Sequence, residues 1–407
     1  MTDEVASRVL RDNYFQTQSL SVSGRIAPQM IETQTRLIRF LEKTGRLNRA
    51  LEYLPSDEEI AERRAKGIGL ASPERAVLLA YSKIWLYDEL LASRLPDDPW
   101  VITALERYFP KALRERFAPY MPRHPLRREI IATHVTNSML NRVGSTFVHR
   151  LKESTGAAPP EIVRAYLLQR EVFGLVTLWQ AIEALDNKVS DGVQADMLID
   201  NGRLIARGTT WFLRSRRLAE DMAATIAHFA PAVEALNSNL DALLDAHARI
   251  QIEARAGKLE GADVPRELAR RIAASDFLFA ALDITEVATA LARPVDAVAR
   301  VYFELATQLE FQWLRDTIGR LPAEAHWQML AKSALRDDLA ELQRGLTTQV
   351  LADAGSSLPP LEAIAAWESR CAKPLERARQ VLGEVKGVPA ADLAMLSVAV
   401  RELRGLV

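Results

Sequence analysis

Cysteine and long apolar runs are both scarce in this sequence of 407 residues. Cys371 is its one cysteine, so an intramolecular disulfide is excluded and a reducing compartment is expected. The longest apolar runs, such as residues 76–81 and 277–282, are six residues long, whereas about 20 are needed to cross a bilayer. The N-terminus has no apolar signal core. We therefore expect a cytoplasmic protein that does not bind a membrane.

The sequence also lacks a surplus of either charge, with 52 basic against 53 acidic residues. Phosphate backbones are bound by clustered surplus cations, so this balance argues against nucleic acid as the main partner. No two of the six histidines lie three or four residues apart, which leaves no helical metal pair. Residues 67–72 (GIGLAS) lack the third glycine and the preceding strand of a dinucleotide loop. We expect this chain to bind no metal and no cofactor.

What the sequence does contain is helical periodicity, while the alternating β-branched pattern of strands is almost absent. Ser56 with Glu59 predicts a capping box, and Ser72 before Pro73 predicts another helix start. We predict an all-α fold, a multi-helix array or bundle with no Rossmann sheet. Helices are expected over 124–153, 190–255, 295–318 and 359–383, with room in each long span, 190–255 above all, for one or more breaks.

Two linkers divide the chain, which is long enough for two or three domains. Residues 155–160 (TGAAPP) and 256–265 (AGKLEGADVP) combine glycine, proline and small residues. They predict three regions: an N-terminal helical region over 1–155, a helical middle block over 156–258 and a C-terminal helical bundle over 259–407.

The most informative segment is 124–151, HPLRREIIATHVTNSMLNRVGSTFVHRL. Its apolar residues recur at helical spacing, yet hydrogen-bonding groups crowd between them. These groups predict buried polar contacts, either with other helices of the chain or with an outside partner. His134 is the best functional candidate among the histidines, although a structural histidine is the commoner case. The candidate interface residues here are Arg127, Arg128, His134, Asn137, Asn141 and Arg142.

The first predicted helix has the same mixed character. Apolar residues at positions 5, 9, 14 and 20 form a stripe beside directional donors and acceptors. We predict that this helix docks onto another part of a larger polypeptide. Its candidate docking residues are Arg11, Asn13, Tyr14, Gln16 and Gln18.

Two further motifs have ordinary explanations. Residues 214–217 (RSRR) after Trp211 could bind an acidic partner or phosphate, but a solvated helix face is commoner. Residues 283–302 imitate a helix-turn-helix, although the second helix begins VDAV and lacks base-reading side chains. We interpret it as a helical hairpin.

Several segments resemble the C-terminal region of the large bacterial NAD-specific glutamate dehydrogenases. These segments are residues 11–20 (RDNYFQTQSL), 49–99, 124–151 and 178–189 (LWQAIEALDNKV). The similarity extends through most of residues 1–215 and is weaker from there to the end of the sequence. The resemblance implies a part of an oxidoreductase that, when complete, converts glutamate and NAD to 2-oxoglutarate, ammonia and NADH. It also implies a homo-oligomer, with the catalytic core of the same polypeptide as partner.

The family's substrate lysine, acid/base aspartate and Gly-rich cofactor loop have no counterpart in this sequence. We therefore assign no catalytic or cofactor-binding residue, and expect the chain alone to be inactive. NAD is implied for the full-length enzyme only, with Met1 as an internal residue of it. The alternative is a freestanding all-α interaction or regulatory protein; a complete enzyme of unknown chemistry has the weakest support, since no nucleophile or metal set emerges.

Overall fold

The computed structural model of the chain describes residues 2–322, 326–354 and 358–407, and all regular structure within these segments is helical. The predicted all-α fold is confirmed. The helices up to residue 214 are α1 (Thr2–Arg25), α2 (Ala27–Lys43), α3 (Asp57–Ala65), α4 (Ser72–Leu91), α5 (Pro99–Tyr108), α6 (Lys111–Phe117), α7 (Arg127–Val143), α8 (Phe147–Thr155), α9 (Pro159–Val172), α10 (Leu175–Glu183) and α11 (Asp191–Arg214). Those that follow are α12 (Met222–Leu243), α13 (Ala246–Glu260), α14 (Arg266–Ala273), α15 (Ser275–Leu278), α16 (Ala281–Ala290), α17 (Val295–Gln308), α18 (Phe311–Arg320), α19 (His326–Asp353), α20 (Pro360–Arg370), α21 (Ala372–Lys386) and α22 (Leu393–Arg404).

The chain forms two compact units. The first comprises the residues up to His228 together with Leu259–Leu268, and the second comprises Phe229–Lys258 and Ala269–Val407. The predicted limit between residues 155 and 156 falls inside the first unit. The division into three regions at the two linkers stays a prediction.

Local signals place the helix ends. The Ser56 hydroxyl accepts from the Glu59 amide at 3.2 Å while the Glu59 carboxylate accepts from the Ser56 amide at 2.7 Å, which is the predicted capping box. The long span predicted over 124–153 breaks at Gly144, which has a φ of +80° and separates α7 from α8. Similarly, Glu310 with a φ of +58° divides 295–318, and Cys371 interrupts 359–383. The predicted break within 190–255 occurs at Ser215 and again after Leu243.

In the first unit α7 packs against α1, α4 and α5, and α9 packs along α11. The two helices pack tightly at Gly208 of α11, where a Cβ atom would lie 2.2 Å from Cγ of Gln169. Residues 66–71 join α3 to α4. Gly67 there has a φ of +66°, and a Cβ on Gly69 would lie 2.3 Å from the Ala27 backbone. Both glycines therefore serve chain reversal and close packing.

The second unit is built around α17 and α19, with α20 and α22 packed on them. The segment 283–302 forms the expected hairpin, in which α16 and α17 pack together across a turn at Ala292. Among the described helices, none combines the length and apolar character needed to span a bilayer.

Candidate anchoring and docking site

Helix α1 has two different surroundings along its length. From Thr2 to Asn13 nearly every side chain is exposed, including Val9 at 55% and Leu10 at 68% of full exposure. Glu4 and Arg8 are half-buried and tie this half to the end of α5, since Arg8 donates to the Tyr108 carbonyl at 2.8 Å. From Tyr14 onward the inward-facing side chains meet α7, α11 and the turn after α10.

Arg142 of α7 lies at the centre of that second half. Its guanidinium carbon is 4.2 Å from the ring centroid of Phe15 in α1 and 4.7 Å from that of Trp179 in α10. Arg142 also forms an ion pair with Glu183, and these two side chains are only 10% and 16% exposed. A planar cation between two aromatic faces and beside a carboxylate is well compensated for its loss of water. We call Phe15, Trp179, Glu183 and Arg142 the Arg142 cluster.

A chain of hydrogen bonds extends the Arg142 cluster along α1. Arg142 donates to Gln18 at 3.2 Å, Gln18 donates to the Tyr14 hydroxyl at 3.0 Å, and Tyr14 donates to Asp186 at 3.1 Å. Gln194 donates to the same Asp186 oxygen at 2.6 Å. Burial, and then the hydrogen-bonded Asp186 carboxylate, raise the pKa of Tyr14, so its phenol stays a donor at neutral pH.

On its inner side the cluster continues into the core between α9 and α11. The Trp179 indole donates to Asn201 at 2.7 Å, and Gln169 donates to the Leu204 carbonyl at 3.2 Å. Tyr166, one turn before Gln169, is fully buried, and burial raises the pKa of its phenol to about 12. Polar contacts therefore run from the surface of α1 into the middle of the first unit.

The opposite end of α7 has its own arginine anchor. Arg128 donates to the carbonyls of Leu91 and Ser93 at 2.9 and 2.7 Å and also pairs with Asp97. Arg127 donates to the other oxygen of Asp97 at 3.0 Å. The end of α4 and the turn that follows it are thereby fixed to the start of α7.

The neighbouring Asp98 has a separate arginine partner. It caps α5 by accepting from the Trp100 amide at 2.9 Å, and it accepts from Arg164 of α9 at 2.5 Å. Arg164 also donates to the Leu218 carbonyl at 2.7 Å. Each acid of the Asp97–Asp98 turn is therefore held by an arginine from elsewhere in the sequence.

The structure brings the sequence-predicted residues into two clusters and leaves others apart. Tyr14, Gln18 and Arg142 converge in one cluster, and Arg127 and Arg128 converge on Asp97. Arg11 is exposed, and its guanidinium carbon lies 5.3 Å from the ring centroid of Phe15 at the edge of the Arg142 cluster. The remaining candidates lie elsewhere on the same two helices: Asn13 is exposed, Gln16, His134 and Asn137 are half-buried, and Asn141 is buried. The Oδ1 atom of Asn141 has no hydrogen-bond partner among the described residues.

Sequence reasoning missed the residues that receive these contacts. Trp179 and Glu183 stand four residues apart, which places them on one face of α10, and Asp186 follows in the turn after that helix. That spacing was visible within 178–189. Phe15 and Asp97 carried no comparable signal. Across residues 2–322, 326–354 and 358–407, no three His, Cys, Asp or Glu side chains are grouped as metal ligands would be.

Comparison with known proteins decides the family. A family model described as glutamate dehydrogenase, C-terminal, matches residues 67–405. The chain belongs to this family. An NAD-specific glutamate dehydrogenase of Pseudomonas aeruginosa is 41% identical over 406 residues, which are all of this chain and 25% of that protein. Those of Halomonas elongata and Mycobacterium tuberculosis are 40% and 36% identical over 99% of this chain, again 25% of each protein.

This member of the glutamate dehydrogenase C-terminal family thus spans about a quarter of the relatives that it matches. It corresponds to their C-terminal region, as the resemblance predicted. The Arg142 cluster and the Asp97–Asp98 anchors lie in the part of that region nearest its beginning.

Proposed function

We propose that this chain is the helical structural and assembly region of an NAD-dependent glutamate dehydrogenase and does not carry the catalytic site. In the complete polypeptide, glutamate and NAD would be converted to 2-oxoglutarate, ammonia and NADH by the catalytic core. The proposal is supported by relatives that are named NAD-specific glutamate dehydrogenases and are four times as long. We further propose a cytoplasmic homo-oligomer in which NAD binds to the core.

The single observation that supports a docking role is the contrast along α1. Its second half is held by the Arg142 cluster, which fixes the direction in which the first half extends. The first half presents Val5, Val9 and Leu10 beside Arg11 and Asn13, all of them exposed. An apolar stripe flanked by directional polar groups is suited to a packed protein interface. We propose that this face docks onto the catalytic core.

The first experiment tests the absence of a catalytic site. The purified 407-residue chain should neither reduce NAD with glutamate nor bind NAD, measured by NADH absorbance and by titration calorimetry. A saturable NAD isotherm or steady turnover at micromolar protein would contradict the proposal.

The second experiment tests docking in the full-length polypeptide. Arg11→Ala with Asn13→Ala should lower activity or shift the oligomer mass, because both side chains would lose interface partners. The matched control is Glu62→Ala with Lys66→Ala, an exposed pair whose side chains are 73% and 66% accessible. If both double variants have the wild-type kinetics and mass, α1 does not dock through these residues.

A further inference from the structure

The segment that runs from the end of α5 to the start of α7 exposes several large apolar side chains. Tyr120 is 66% exposed, Leu126 is 55% exposed, and Tyr108 and Phe117 are 46% and 40% exposed. The ring centroids of Phe117 and Tyr120 are 6.5 Å apart. Grouped apolar side chains on a protein surface mark contact sites for other molecules. We define the 108–126 surface by six exposed residues, namely Tyr108, Arg116, Phe117, Tyr120, Arg123 and Leu126.

The backbone beneath the 108–126 surface is well supported. Helices α5 and α6 both pack on the short 3₁₀ turn Ala118–Arg123. Phe109 connects the two ends of the segment, since its ring centroid lies 5.4 Å from that of Tyr108 and 5.7 Å from that of His124. Four prolines, at positions 110, 119, 122 and 125, restrict the backbone further. A surface ordered before binding loses little conformational entropy when a partner arrives.

The same segment carries a local surplus of positive charge. Four basic residues and one acidic residue lie between positions 111 and 123. Lys111 pairs with Glu115 at 3.7 Å. The guanidinium of Arg116 lies 5.2 Å from the ring centroid of Phe117, and neither Arg116 nor Arg123 forms an ion pair within the part of the chain that the structure describes. Tyr, Phe and Arg are enriched in the cores of protein interfaces, and uncompensated cations favour an acidic partner.

The first half of α1 is attached directly to this segment. The Glu4 carboxylate accepts from the Lys111 amide at 2.9 and 3.1 Å, and Arg8 donates to the Tyr108 carbonyl at 2.8 Å. Two exposed valines of α1 follow Glu4 and Arg8 directly in sequence, so they flank this contact. The docking face of α1 and the 108–126 surface therefore border each other.

We propose that the 108–126 surface is a second docking surface, which binds an acidic face of the polypeptide that precedes α1 in the complete enzyme. This inference rests on the proposed function, in which the chain is one region of a longer dehydrogenase. The relatives are four times as long and the chain matches their C-terminal region, so most of such a polypeptide precedes α1. A covalently attached partner is present at a high effective concentration. Because α1 begins beside Lys111, that partner is held next to the 108–126 surface.

The competing occupant is single-stranded nucleic acid, which also binds rings beside cations. The attachment through α1 and the balanced charge of the whole chain favour the protein partner. The test places the photo-cross-linker p-benzoylphenylalanine at position 120 of the full-length polypeptide in place of Tyr120. Irradiation should join it, within one polypeptide, to a peptide that precedes Met1 and is rich in Asp and Glu, as identified by mass spectrometry. The same probe in place of Tyr53, which is 91% exposed, should not yield that product.

Charge reversal tests the electrostatic part of the proposal. In the full-length polypeptide, Arg116→Glu with Arg123→Glu should lower the cross-link yield from position 120 at least about fivefold, because like charges would then face each other. The matched control is Lys66→Glu with Arg203→Glu, which makes the same change of charge at side chains 66% and 73% exposed and should leave the yield unchanged. The isolated 407-residue chain with either double substitution should melt like wild type, which excludes a folding defect.

The proposal is overturned if position 120 cross-links to nothing, to nucleic acid or to a second polypeptide chain, or if position 53 yields the same product. It is also overturned if the two double variants have equal yields. Its failure is distinguishable from a failure of the proposed function. NAD binding by the 407-residue chain would contradict the proposed function whatever position 120 contacts, whereas an active full-length enzyme without the cross-link would contradict only the second docking surface.

Discussion

The first two helices of the chain, α1 and α2, are held in place in two different ways. Helix α2 buries a conventional apolar face that includes Ile31, Leu37, Ile38 and Leu41. Along α1, by contrast, Ser19 is the one buried residue among those described. The hydrophobic contribution that positions most amphipathic helices is therefore small for α1. Its second half depends on the Arg142 cluster, and its first half has almost no cover within this chain.

The two halves of α1 therefore differ in whether their apolar side chains are covered within this chain. Near Tyr14 the aromatic and polar groups of α1 find their partners within the first unit, since Phe15 and Gln18 contact Arg142 of α7 and Tyr14 donates to Asp186 in the turn after α10. Near Val9 and Leu10 the same helix offers a contact surface that nothing in the first unit fills. A helix whose position is fixed at one end and whose other end is uncovered is well arranged for docking.

The largest expected effect is the loss of the anchor itself. Arg142→Ala should lower the unfolding free energy of the chain by about 3–5 kcal/mol, because Glu183 would keep a desolvated charge without its partner. The two ring contacts, with Phe15 and Trp179, would be lost as well. Urea unfolding monitored by circular dichroism measures the change.

The control for this substitution is Arg203→Ala, whose exposed side chain should change stability by no more than about 0.5 kcal/mol. A loss at Arg142 no larger than at Arg203 would mean that α1 is held by its few apolar contacts after all.

The next largest effect on stability is expected at the contact between α9 and α11, beside the inner end of the Arg142 cluster. Gly208→Ala should destabilise the chain by about 1–3 kcal/mol, because the new methyl group would overlap the Gln169 side chain. Gly202→Ala in the same helix meets no atom within 4 Å and should stabilise by about 0.5–1 kcal/mol through helix propensity. Thermal unfolding of the two variants measures this contrast. If the packing is as described, the melting temperature falls in Gly208→Ala and rises in Gly202→Ala; a change of the same sign in both would contradict it.

These comparisons also show why the sequence revealed some features and hid others. Helical periodicity and caps such as Ser56–Glu59 are local, so the all-α fold and many helix ends were predictable. Gly144 lies inside a segment with strong helical periodicity, but its positive φ ends α7 despite the helix propensity of the residues around it. The polar residues of α7 identified Arg142 as a candidate. Its partners Phe15 and Trp179 are distant in sequence, and such pairings depend on tertiary packing, which leaves no periodic trace.

A smaller, pH-dependent effect comes from Lys83 of α4, which lies near Asp12 in the first half of α1. Burial lowers the pKa of Lys83 to about 8, and the Asp12 charge only partly opposes this. Between pH 8 and about 10.5 the unfolded state then binds more protons than the folded state, so this group makes stability rise with pH. Lys83→Met should therefore stabilise the chain at pH 7, by on the order of 1 kcal/mol after solvent screening. The gain should disappear near pH 10.5.

Urea titrations at pH 7, 9 and 10.5 follow this difference, which isolates Lys83 from the other groups that titrate in the same range. Lys66→Met serves as the control, since that side chain is 66% exposed. A pH-independent gain in Lys83→Met would show that added apolar contact, and not the lysine charge, is responsible.

The smallest effect is expected where α1 is least covered. Val9→Ala with Leu10→Ala should change the stability of the 407-residue chain by no more than about 0.5 kcal/mol, because both side chains are mostly in solvent and alanine favours the helix. Phe15→Ala, one and a half turns further along, should cost clearly more, since it removes one of the two rings against Arg142. Urea unfolding of the two variants side by side measures this contrast within a single helix. If the Val9 and Leu10 substitutions cost as much as Phe15→Ala, the first half of α1 is already covered in the isolated chain. The docking face would then have to be sought elsewhere.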